Sequence, residues 1–585
     1  MALQHEFTSG KCPDASPVIT ENGNTRCWYR SMTSRTPMRF PHFSIAVDQE
    51  VRCSRTSSSE HHETVAVKPD LKLQEVPEYG PHGVRDLISS GYVIGAAFLA
   101  SLGGFSFGYD QGVISIINVK DQFHAAFPQA ETAFGKGLMT GMLLLGAFVG
   151  CLFMPYLADR ISRKWALTVV VVIFDIGAII QTCAQNYATL VAGRAIGGIR
   201  VGALAMGAPL YISNISPTNL RGALLVLEFI SIVSGVVISS WITFGTRLIN
   251  NGVSFRLPFG LQMVCATILS VGIHFFPYSP QWLALVNRQQ DCLASLAKLR
   301  GLPDTDERVQ AEFQGIITEV KFQDLIQEKR HPGKQGMKLE FLAWLDLFGR
   351  AGWRRTIVGC GVAFFQQFMD INAFVYYALT LFRSIGQSDE MSLILSGVFN
   401  ILQLVTVIIC FLIIDKTGRR PLAIFGGLAT GIAYTIIAIP SGLYANDWTA
   451  HPDSGWAFVA MAFLFILIFG LTYSPLGWAL PSEVFPNATR SKGVALSTST
   501  NWLSNFIVGI ATPPMMDNIG YRTYIFYAVW CVLAGVWAFA SVAETSGKTL
   551  EEIDDVFGDT NGHEEHEDMR AAAMSIMRAP VPSTV

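Results

Sequence analysis

The sequence predicts an all-α membrane protein whose twelve transmembrane helices form two six-helix halves. Of its 585 residues, 50% are hydrophobic and 15% are charged, and its mean hydropathy is +0.37. This composition excludes a soluble protein with an ordinary charged surface. Apolar runs close to the roughly 20 residues that cross a bilayer as a helix occur in two groups of six.

A charged segment separates the two groups of predicted spans. The spans cover residues 92–118, 138–157, 166–184, 188–213, 222–245 and 258–276, and then 356–382, 391–414, 421–440, 456–480, 493–513 and 522–543. The predicted domains are a disordered cytoplasmic tail at 1–91, an N-terminal half at 92–276, a helical cytoplasmic linker at 277–355, a C-terminal half at 356–543 and a cytoplasmic tail at 544–585.

Composition distinguishes the tail and the linker. The first ninety residues mix Ser, Thr, Pro and charge without a sustained apolar period, which predicts disorder, and they contain no apolar core of a signal peptide. The linker shows helical periodicity, but it is too short to build a substantial core of its own.

Positive charge in the short loops predicts the orientation. Lys and Arg follow the second, eighth and tenth spans, whereas the loops at 185–187 and 441–455 carry none. Since such charge is retained on the cytoplasmic side, we expect both termini and the linker to be cytoplasmic in a multi-pass protein of the plasma membrane.

Two pairs of similar segments indicate a duplication. LADRISRKW at 157–165 and IIDKTGRRPL at 413–422 follow the second helix of each half, and YISNISPTNLRG at 211–222 and PSEVFPNATRSKG at 481–493 follow the fourth. Related halves are typical of alternating-access transporters with a substrate site near the membrane midplane. The glycine-rich strings GGFSFG and GRAIGG lie in apolar segments, where small residues permit close helix packing, so an ATP-binding loop is not indicated.

The basic loops are also gate candidates. A basic cluster alone is typical of a topology signal, but the adjacent acids Asp159, Asp415 and Glu483 favour a cytoplasmic gate, because opposite charges at facing helix ends can close a mouth and then separate. The candidate set is Asp159, Arg160, Arg163, Arg221, Asp415, Arg419, Arg420, Glu483, Arg490 and Glu544.

Asp110 lies deep in the first span, within GGFSFGYDQG. An ionisable group at this depth is costly and typically lies on a substrate or proton path. The alternative is a structural acid satisfied by a neighbouring helix.

Catalysis and metal binding are not indicated. The ten cysteines include no CxxC pair or zinc-like spacing, and His61, His62 and the string HEEHE are typical of solvated tails. No nucleophile, base and orienting group occur together, so we expect neither an enzyme nor a cofactor.

Ten strings between residues 83 and 556 resemble the sugar porter family of the major facilitator superfamily, in particular fungal hexose transporters. They are GGFSFGYDQGVIS, LADRISRKW, GRAIGGIRVG, PLYISNISPTNLRG, FPYSPQWL, FFQQFMDINAFVYYA, DKTGRRPL, PSEVFPNATR, NWLSNF and AETSGKTLEEID. The resemblance implies a major facilitator fold and secondary transport of a hexose or related polyol by proton symport. The implied partners are the sugar, protons and the lipid bilayer, with no nucleic acid.

The resemblance also implies residue roles. Asp110 and Arg194 match the pair that couples protonation to transport. Residues matching the sugar site are the amides Gln366, Gln367, Asn372 and Asn501 and the aromatics Trp502, Tyr473 and Trp478. Amides suit hydroxyls that both donate and accept, and aromatic faces cover the apolar side of a sugar ring. Without the resemblance, such amides could equally join neighbouring helices.

The sequence departs from the family pattern at several positions. Phe229 and Val236 replace amide or acidic groups that face the sugar in the fifth span, which indicates a substrate that has drifted from hexose. The other departures are Asn214 for a gate glutamate, Ser162 for a glycine, Tyr278 and Gln281 for Glu and Arg, and Arg200 and Asp370 for glycines.

Two alternative functions remain open. One is a transporter or exporter of a less polar metabolite, which Phe229 and Val236 favour. The other is a transport-deficient sugar sensor; such sensors usually have a long cytoplasmic extension, whereas about forty residues follow the last predicted span.

Arg200 needs a partner in the bilayer. At 1.5 Å per residue, Asp175 lies about 16 Å from the short turn between the third and fourth spans, and Arg200 lies about 20 Å from it. We therefore predict a structural Asp175–Arg200 pair, separate from the Asp110–Arg194 pair. The alternative is that Arg200 faces an aqueous cavity and binds an anionic substrate group.

Overall fold

The computed structural model describes residues 91–118, 120–215, 221–349, 352–444, 447–448, 450–486, 489–546, 553 and 557. The predicted N-terminal tail and most of the C-terminal tail lie outside these residues. The described part of the chain is helical and contains no strand.

Twelve long helices form the bundle, and two of them are interrupted. Their bounds are α1 Gly91–Ile117, α2 Ala133–Ile161, α3 Arg163–Cys183, α4 Tyr187–Ile215, α5 Arg221–Gly245, α6 Val253–Gly272, α7a Trp353–Phe368, α7b Ile371–Ser384, α8 Asp389–Thr417, α9 Arg419–Leu443, α10a Pro452–Leu471, α10b Tyr473–Val484, α11 Arg490–Ile519 and α12 Arg522–Ser541. By length and hydropathy alone, nine segments of the described chain could each cross a membrane. The twelve-helix prediction is confirmed.

Shorter helices connect these elements. The loop between α1 and α2 holds a helix at Asp121–Ala126 and a 3₁₀ turn at Pro128–Glu131, and further 3₁₀ turns follow α5 and α6 at Thr246–Leu248 and Ile273–Phe275. The linker contains Pro280–Leu285, Gln289–Arg300, Glu307–Arg330, Met337–Leu345 and a 3₁₀ turn at Asp346–Phe348. We call the end of the bundle that carries these helices the linker side and the opposite end the far side.

Glycines bring helices of the N-terminal half into close contact. A Cβ on Gly150 of α2 would lie 1.9 Å from the carbonyl oxygen of Ile199 in α4, and one on Gly108 of α1 would lie 1.8 Å from that of Ile232 in α5. No larger residue fits at these distances, so the glycine-rich strings serve helix packing.

The seventh helix is broken where the sequence predicted a continuous span at 356–382. Asp370 adopts a left-handed conformation, with φ 64° and ψ 32°, between α7a and α7b. The tenth predicted span, 456–480, is likewise interrupted at Thr472. Hydrophobic length identifies a span but not a break within it. Both breaks place polar side chains and freed carbonyl groups inside the bundle, where irregular backbone is tolerated only beside protein or a cavity.

The halves meet along α2 with α11 and α5 with α8. Gly141 of α2 packs against the ring of Phe506 in α11. Between α5 and α8, Asn400 Nδ2 donates to Ser240 Oγ at 3.3 Å.

Candidate functional site: a cavity between the halves and a buried ion pair

A cavity lies between the two halves, and the space in it that water-sized molecules can reach is about 80 Å³. One wall comes from α1 and α5, and the other from α7, α8, α10 and α11. The lining residues are Phe107, Gln111, Phe229, Ile232, Val233, Val236, Gln366, Gln367, Ile371, Asn372, Val375, Gln403, Phe469, Ser474, Trp478, Asn501, Trp502 and Asn505.

Four predicted amides form one connected network on the C-terminal wall. Gln367 Nε2 donates to Asn501 Oδ1 at 2.9 Å, and Asn372 Nδ2 donates to Gln367 Oε1. Asn501 Nδ2 in turn donates to Gln366 Oε1 at 2.6 Å. Each amide thus fixes its neighbour, which holds the polar wall in one arrangement before a ligand arrives.

The breaks in α7 and α10 support this network. Gln366 Nε2 donates to the carbonyl oxygens of Tyr473 and Ser474, each at 3.0 Å, at the start of α10b. Tyr473 therefore contributes its backbone. Its ring is buried and its hydroxyl donates to the Ala534 carbonyl at 3.3 Å, so the expectation that its side chain faces the ligand is corrected.

Sequence reasoning missed three further amides that line the cavity, Gln111, Gln403 and Asn505. Gln403 Oε1 and Asn505 Oδ1 are buried acceptors without a hydrogen-bond partner among the described residues. A hydroxyl donor from a ligand would satisfy them. Asn505 follows Asn501 by one helical turn, and Gln403 follows Asn400 by three residues, so this spacing of amides is a usable signal in both helices.

Aromatic groups complete the polar wall. Trp478 and Trp502 both line the cavity, as predicted. The Trp502 ring meets Phe107 of α1 edge-on, with ring centroids 5.0 Å apart.

The N-terminal wall is largely apolar. The fifth helix contributes Phe229, Ile232, Val233 and Val236. Both family departures in this helix, Phe229 and Val236, therefore line the cavity.

The Asp110–Arg194 pair predicted from the sequence is present. Arg194 Nη1 lies 3.4 Å from Asp110 Oδ1, and the two side chains are 1% and 0% exposed. Arg194 Nε also donates to the Met139 carbonyl of α2 at 2.9 Å. Asp110 Oδ2 has no hydrogen-bond partner in the described chain.

The next residue connects this pair to the cavity. Gln111 lines the cavity and donates through Nε2 to the Tyr376 hydroxyl of α7b at 3.2 Å. This contact joins the two halves between the amide network and the far side of the bundle.

The predicted Asp175–Arg200 pair is wrong for this structure. The guanidinium of Arg200 stacks over the Phe174 ring at 4.0 Å, and its three nitrogens have no hydrogen-bond partner among the described residues. Asp175 Oδ2 instead accepts from Thr267 Oγ1 of α6 at 3.4 Å. Depth along the helices was predicted correctly, but α3 turns the carboxylate towards α6.

The gate candidates of the C-terminal half form one cluster on the linker side. Arg419 Nη2 lies 2.9 Å from Glu483 Oε1, and Thr545 donates to Glu483 Oε2 at 2.6 Å. Glu544 accepts from the backbone N–H groups of Arg419 and Arg420 at 2.9 and 3.2 Å. The cluster ties the start of α9 to α10b and to the segment after α12.

The gate candidates of the N-terminal half contact the linker instead. Arg163 Nη1 donates to Ser279 Oγ at 3.0 Å, and the Asp159 carbonyl accepts from Trp282 Nε1 at 3.1 Å. Arg160 lies over the Tyr156 ring at 5.5 Å. The Asp159 carboxylate also interacts electrostatically with Lys492 of α11, so this cluster reaches the C-terminal half.

One of the remaining candidates contacts the backbone after α10b, and the side chains of the others are not described. Arg490 Nε donates to the Phe485 carbonyl at 3.3 Å. The side chains of Arg221, Asp415 and Asn214 lie outside the described residues. Within the described chain, no group of three His, Cys, Asp or Glu side chains is placed to hold a metal ion.

Comparisons with known proteins agree with this architecture. Residues 96–557 match the family model described as "Sugar (and other) transporter". The chain is 32% identical to the high-affinity glucose transporter of Kluyveromyces lactis, over 80% of this chain and 85% of that one. It is 33% identical to the sugar transporter STL1 of Saccharomyces cerevisiae, over 78% and 80%. The structure of the proton:xylose symporter XylE bound to 6-bromo-6-deoxy-D-glucose superposes with a TM-score of 0.66 at 25% identity, covering 80% of this chain and 99% of that one. The chain belongs to the sugar transporter family of the major facilitator superfamily.

Proposed function

We propose that this protein is a secondary active transporter that moves a sugar, a hexose or related polyol, together with a proton by alternating access. The observation that carries the proposal is an amide-lined cavity between the halves, with the buried Asp110–Arg194 pair adjacent to its lining. The glucose, sugar and xylose transporters among the relatives and neighbours support the substrate class.

The polar wall would hold the sugar hydroxyls. Gln366, Gln367, Asn372 and Asn501 present a fixed set of donors and acceptors, and Gln403 and Asn505 offer unsatisfied oxygens. Buried acceptors without partners favour ligands that donate hydrogen bonds. Trp478 and Trp502 would cover the apolar faces of the ring.

The ion pair would couple sugar movement to a proton. While Asp110 is ionised, its charge attracts Arg194 and holds α1 against α4. Protonation of the carboxylate removes that attraction. Gln111 follows Asp110 and donates to Tyr376 of α7b. A movement of α1 would therefore break this contact between the halves and open the cavity on the far side.

The linker side would be cytoplasmic, in a plasma-membrane protein with both termini inside. The Arg419–Glu483–Glu544 cluster would hold the linker-side ends of α9 and α10b and the segment after α12 together while the mouth is closed. The contacts of Arg163 and Asp159 with the linker would do the same for the N-terminal half, and separation of both clusters would release the sugar.

Uptake of a panel of labelled sugars by transporter-null yeast tests this proposal. We expect uptake of at least one sugar to rise at acidic external pH and to fall on adding an uncoupler. Asp110→Asn should abolish accumulation against a gradient but retain downhill exchange, because an amide keeps the shape and cannot carry the proton. Asp517→Asn, at an exposed position of α11, is the matched control and should behave like the wild type.

Two results would overturn the proposal. Wild-type uptake that ignores pH and the uncoupler removes the proton role of Asp110. Absence of uptake for every sugar and polyol, with normal surface expression, removes the substrate class.

The apolar N-terminal wall favours a second candidate, a transporter or exporter of a less polar metabolite. A hexose hydroxyl facing Phe229 or Val236 would lose its water without gaining a protein partner. Competition of less polar solutes against labelled glucose distinguishes the two candidates.

A further inference from the structure

Two arginines of α4, Arg194 and Arg200, lie one above and one below the depth of Asp110 in the bundle. A Cβ on Gly103 of α1 would lie 3.5 Å from Leu204 Cδ1 of α4, and α1 and α4 run antiparallel. Seven residues further along α1, Asp110 is therefore level with position 197. Arg194 and Arg200 each lie three residues from that position, about 4.5 Å along the helix axis.

Only one of these arginines is anchored. Arg194 contacts Asp110 and donates to the Met139 carbonyl. The buried guanidinium of Arg200 lies over the face of Phe174, and its nitrogens have no hydrogen-bond partner in the described chain. A buried guanidinium without hydrogen bonds is destabilising, so this position favours movement of the side chain towards an acceptor.

Two unsatisfied carboxylate oxygens lie near Arg200. Asp110 Oδ2 and Asp175 Oδ1 are buried without hydrogen-bond partners in the described chain, and both carboxylates attract the Arg200 charge. A Cβ on Gly177 of α3 would lie 2.6 Å from the backbone nitrogen of Gly197. Asp175 is two residues earlier on this antiparallel helix and is therefore level with position 199.

We propose that Arg200 is a movable counter-ion shared between Asp110 and Asp175, and that it competes with the coupling proton for Asp110. The inference rests on the proposed proton coupling. Arg200 at Asp110 keeps the carboxylate ionised, and Arg200 at Asp175 leaves Asp110 free to take a proton. Arg200 is thus a positioning residue that sets the external pH at which transport is coupled.

The surroundings of Asp110 contain few other charges. The titratable groups near it from the packed helices are Tyr109 on α1, Cys265 on α6, Tyr376 on α7b, Arg194 and Arg200 on α4, Asp175 on α3 and, further along the α1–α5 contact, Glu228 on α5. The positive charges in this described set are the two arginines. Because Arg194 is fixed by the Met139 carbonyl, the variable one is Arg200.

The test compares the pH midpoint of proton-driven uptake in two variants whose expected shifts are opposite. Arg200→Leu removes the competitor, so half-maximal uptake should move to a more alkaline pH by roughly 1 unit. Asp175→Asn removes the alternative acceptor and leaves Arg200 on Asp110, so the midpoint should move to a more acidic pH. Arg522→Leu, at an exposed position of α12, should leave it unchanged.

A conservative variant protects the test against misfolding. Arg200→Lys retains the charge, and its midpoint should stay closer to the wild type than that of Arg200→Leu. Suppose that wild-type uptake is proton-driven but the pH midpoints of Arg200→Leu and Asp175→Asn shift equally or not at all. That result would overturn the role of Arg200 and leave the proposed function intact. Wild-type uptake without pH dependence refutes the proton coupling. In that case, a pH dependence gained in Arg200→Leu would still support the role of Arg200. Uptake that stays independent of pH in Arg200→Leu would overturn both the coupling and the role of Arg200.

Discussion

Gln367 is an internal member of the polar network, because it contacts both Asn372 and Asn501. Gln367→Ala removes a cavity donor and acceptor and leaves the partner amides unsatisfied. We expect substrate affinity to fall by about 1–3 kcal/mol, roughly 5- to 150-fold. The measurement is the Kd of the purified protein together with the KM of uptake.

The matched control is Gln289→Ala, an exposed glutamine in the linker. It should change neither constant. An unaltered Kd in Gln367→Ala would place the ligand elsewhere in the cavity.

Phe229 tests whether the apolar wall limits hexose binding. Phe229→Gln supplies a donor and an acceptor at a position that lines the cavity, so the KM for glucose should fall several-fold if a sugar hydroxyl faces it. Phe229→Leu is the control for ring volume, since it shortens the side chain without adding polarity. Equal glucose KM values in the two variants would argue that no hydroxyl reaches this wall.

Single residues differed in how far the sequence could predict them. Asp110 and Arg194 were predictable because a buried charge in the membrane demands a partner and the resemblance supplied one. Arg200 and Asp175 lie at similar depths, but depth along a helix does not give the direction of a side chain, and Asp175 turns to Thr267. For the same reason the Tyr473 ring faces Ala534 rather than the cavity.

At the scale of elements, the ends of the second helix of each half share an unusual backbone. Ser162 ends α2 with φ 81° and ψ 149°, and Gly418 ends α8 with φ 85° and ψ 156°. This region of conformation is accessible almost only to glycine, and it costs about 1–3 kcal/mol for other residues. Ser162 therefore carries strain that Gly418 avoids.

Exchanging the two residue types should have opposite effects on stability. Ser162→Gly should raise the melting temperature of the detergent-solubilised protein by a few degrees, since the lost cap to the Trp165 N–H is long, at 3.5 Å. Gly418→Ser should lower it, because a Cβ there would lie 2.6 Å from Glu544 Oε2 and would displace the acid from the cluster on the linker side.

The conservative exchange Ser162→Thr keeps the strain and serves as the control. A melting temperature that is unchanged in both Ser162→Gly and Gly418→Ser would show that the two turns do not limit stability.

Elements were predictable in number, since twelve apolar runs correspond to twelve helices, but α2 and α11 extend beyond the predicted spans 138–157 and 493–513 at both ends. The breaks at Asp370 and Thr472 were not, because both lie within apolar runs whose mean hydropathy hides a local change of backbone. These breaks build the polar wall. Sequence reasoning therefore found the amides of α7 but not the contact of Gln366 with the α10b backbone.

At the scale of the molecule, the two halves have different chemistry despite their repeated segments. The C-terminal half supplies the connected amides, whereas the N-terminal half supplies an apolar wall, the buried charges Asp110, Arg194 and Arg200, and the partly exposed Asp175. Under the proposed function, one half would bind the sugar and the other would bind the proton. Gln111 of α1 and Tyr376 of α7b would transmit between them.

Alternating access requires the far-side contact of α2 with α11 to open in each cycle, and a disulfide across it should stop transport. A Cβ on Gly509 of α11 would lie 4.0 Å from Thr140 Cγ2 of α2, so side chains at these two positions are in contact, as a cysteine pair requires. In the Thr140→Cys, Gly509→Cys double variant, oxidation should abolish sugar uptake, and a reductant should restore it.

Each single cysteine variant and the wild type, whose described cysteines are free, are the controls and should be insensitive to the oxidant. Binding of sugar from the linker side should persist in the cross-linked protein, because the cavity residues Asn501 and Asn505 lie nearer that side along α11 than Gly509 does. Uptake that continues at the wild-type rate after complete cross-linking would mean that this contact never opens, and a rocking movement of the two halves about the cavity would have to be abandoned.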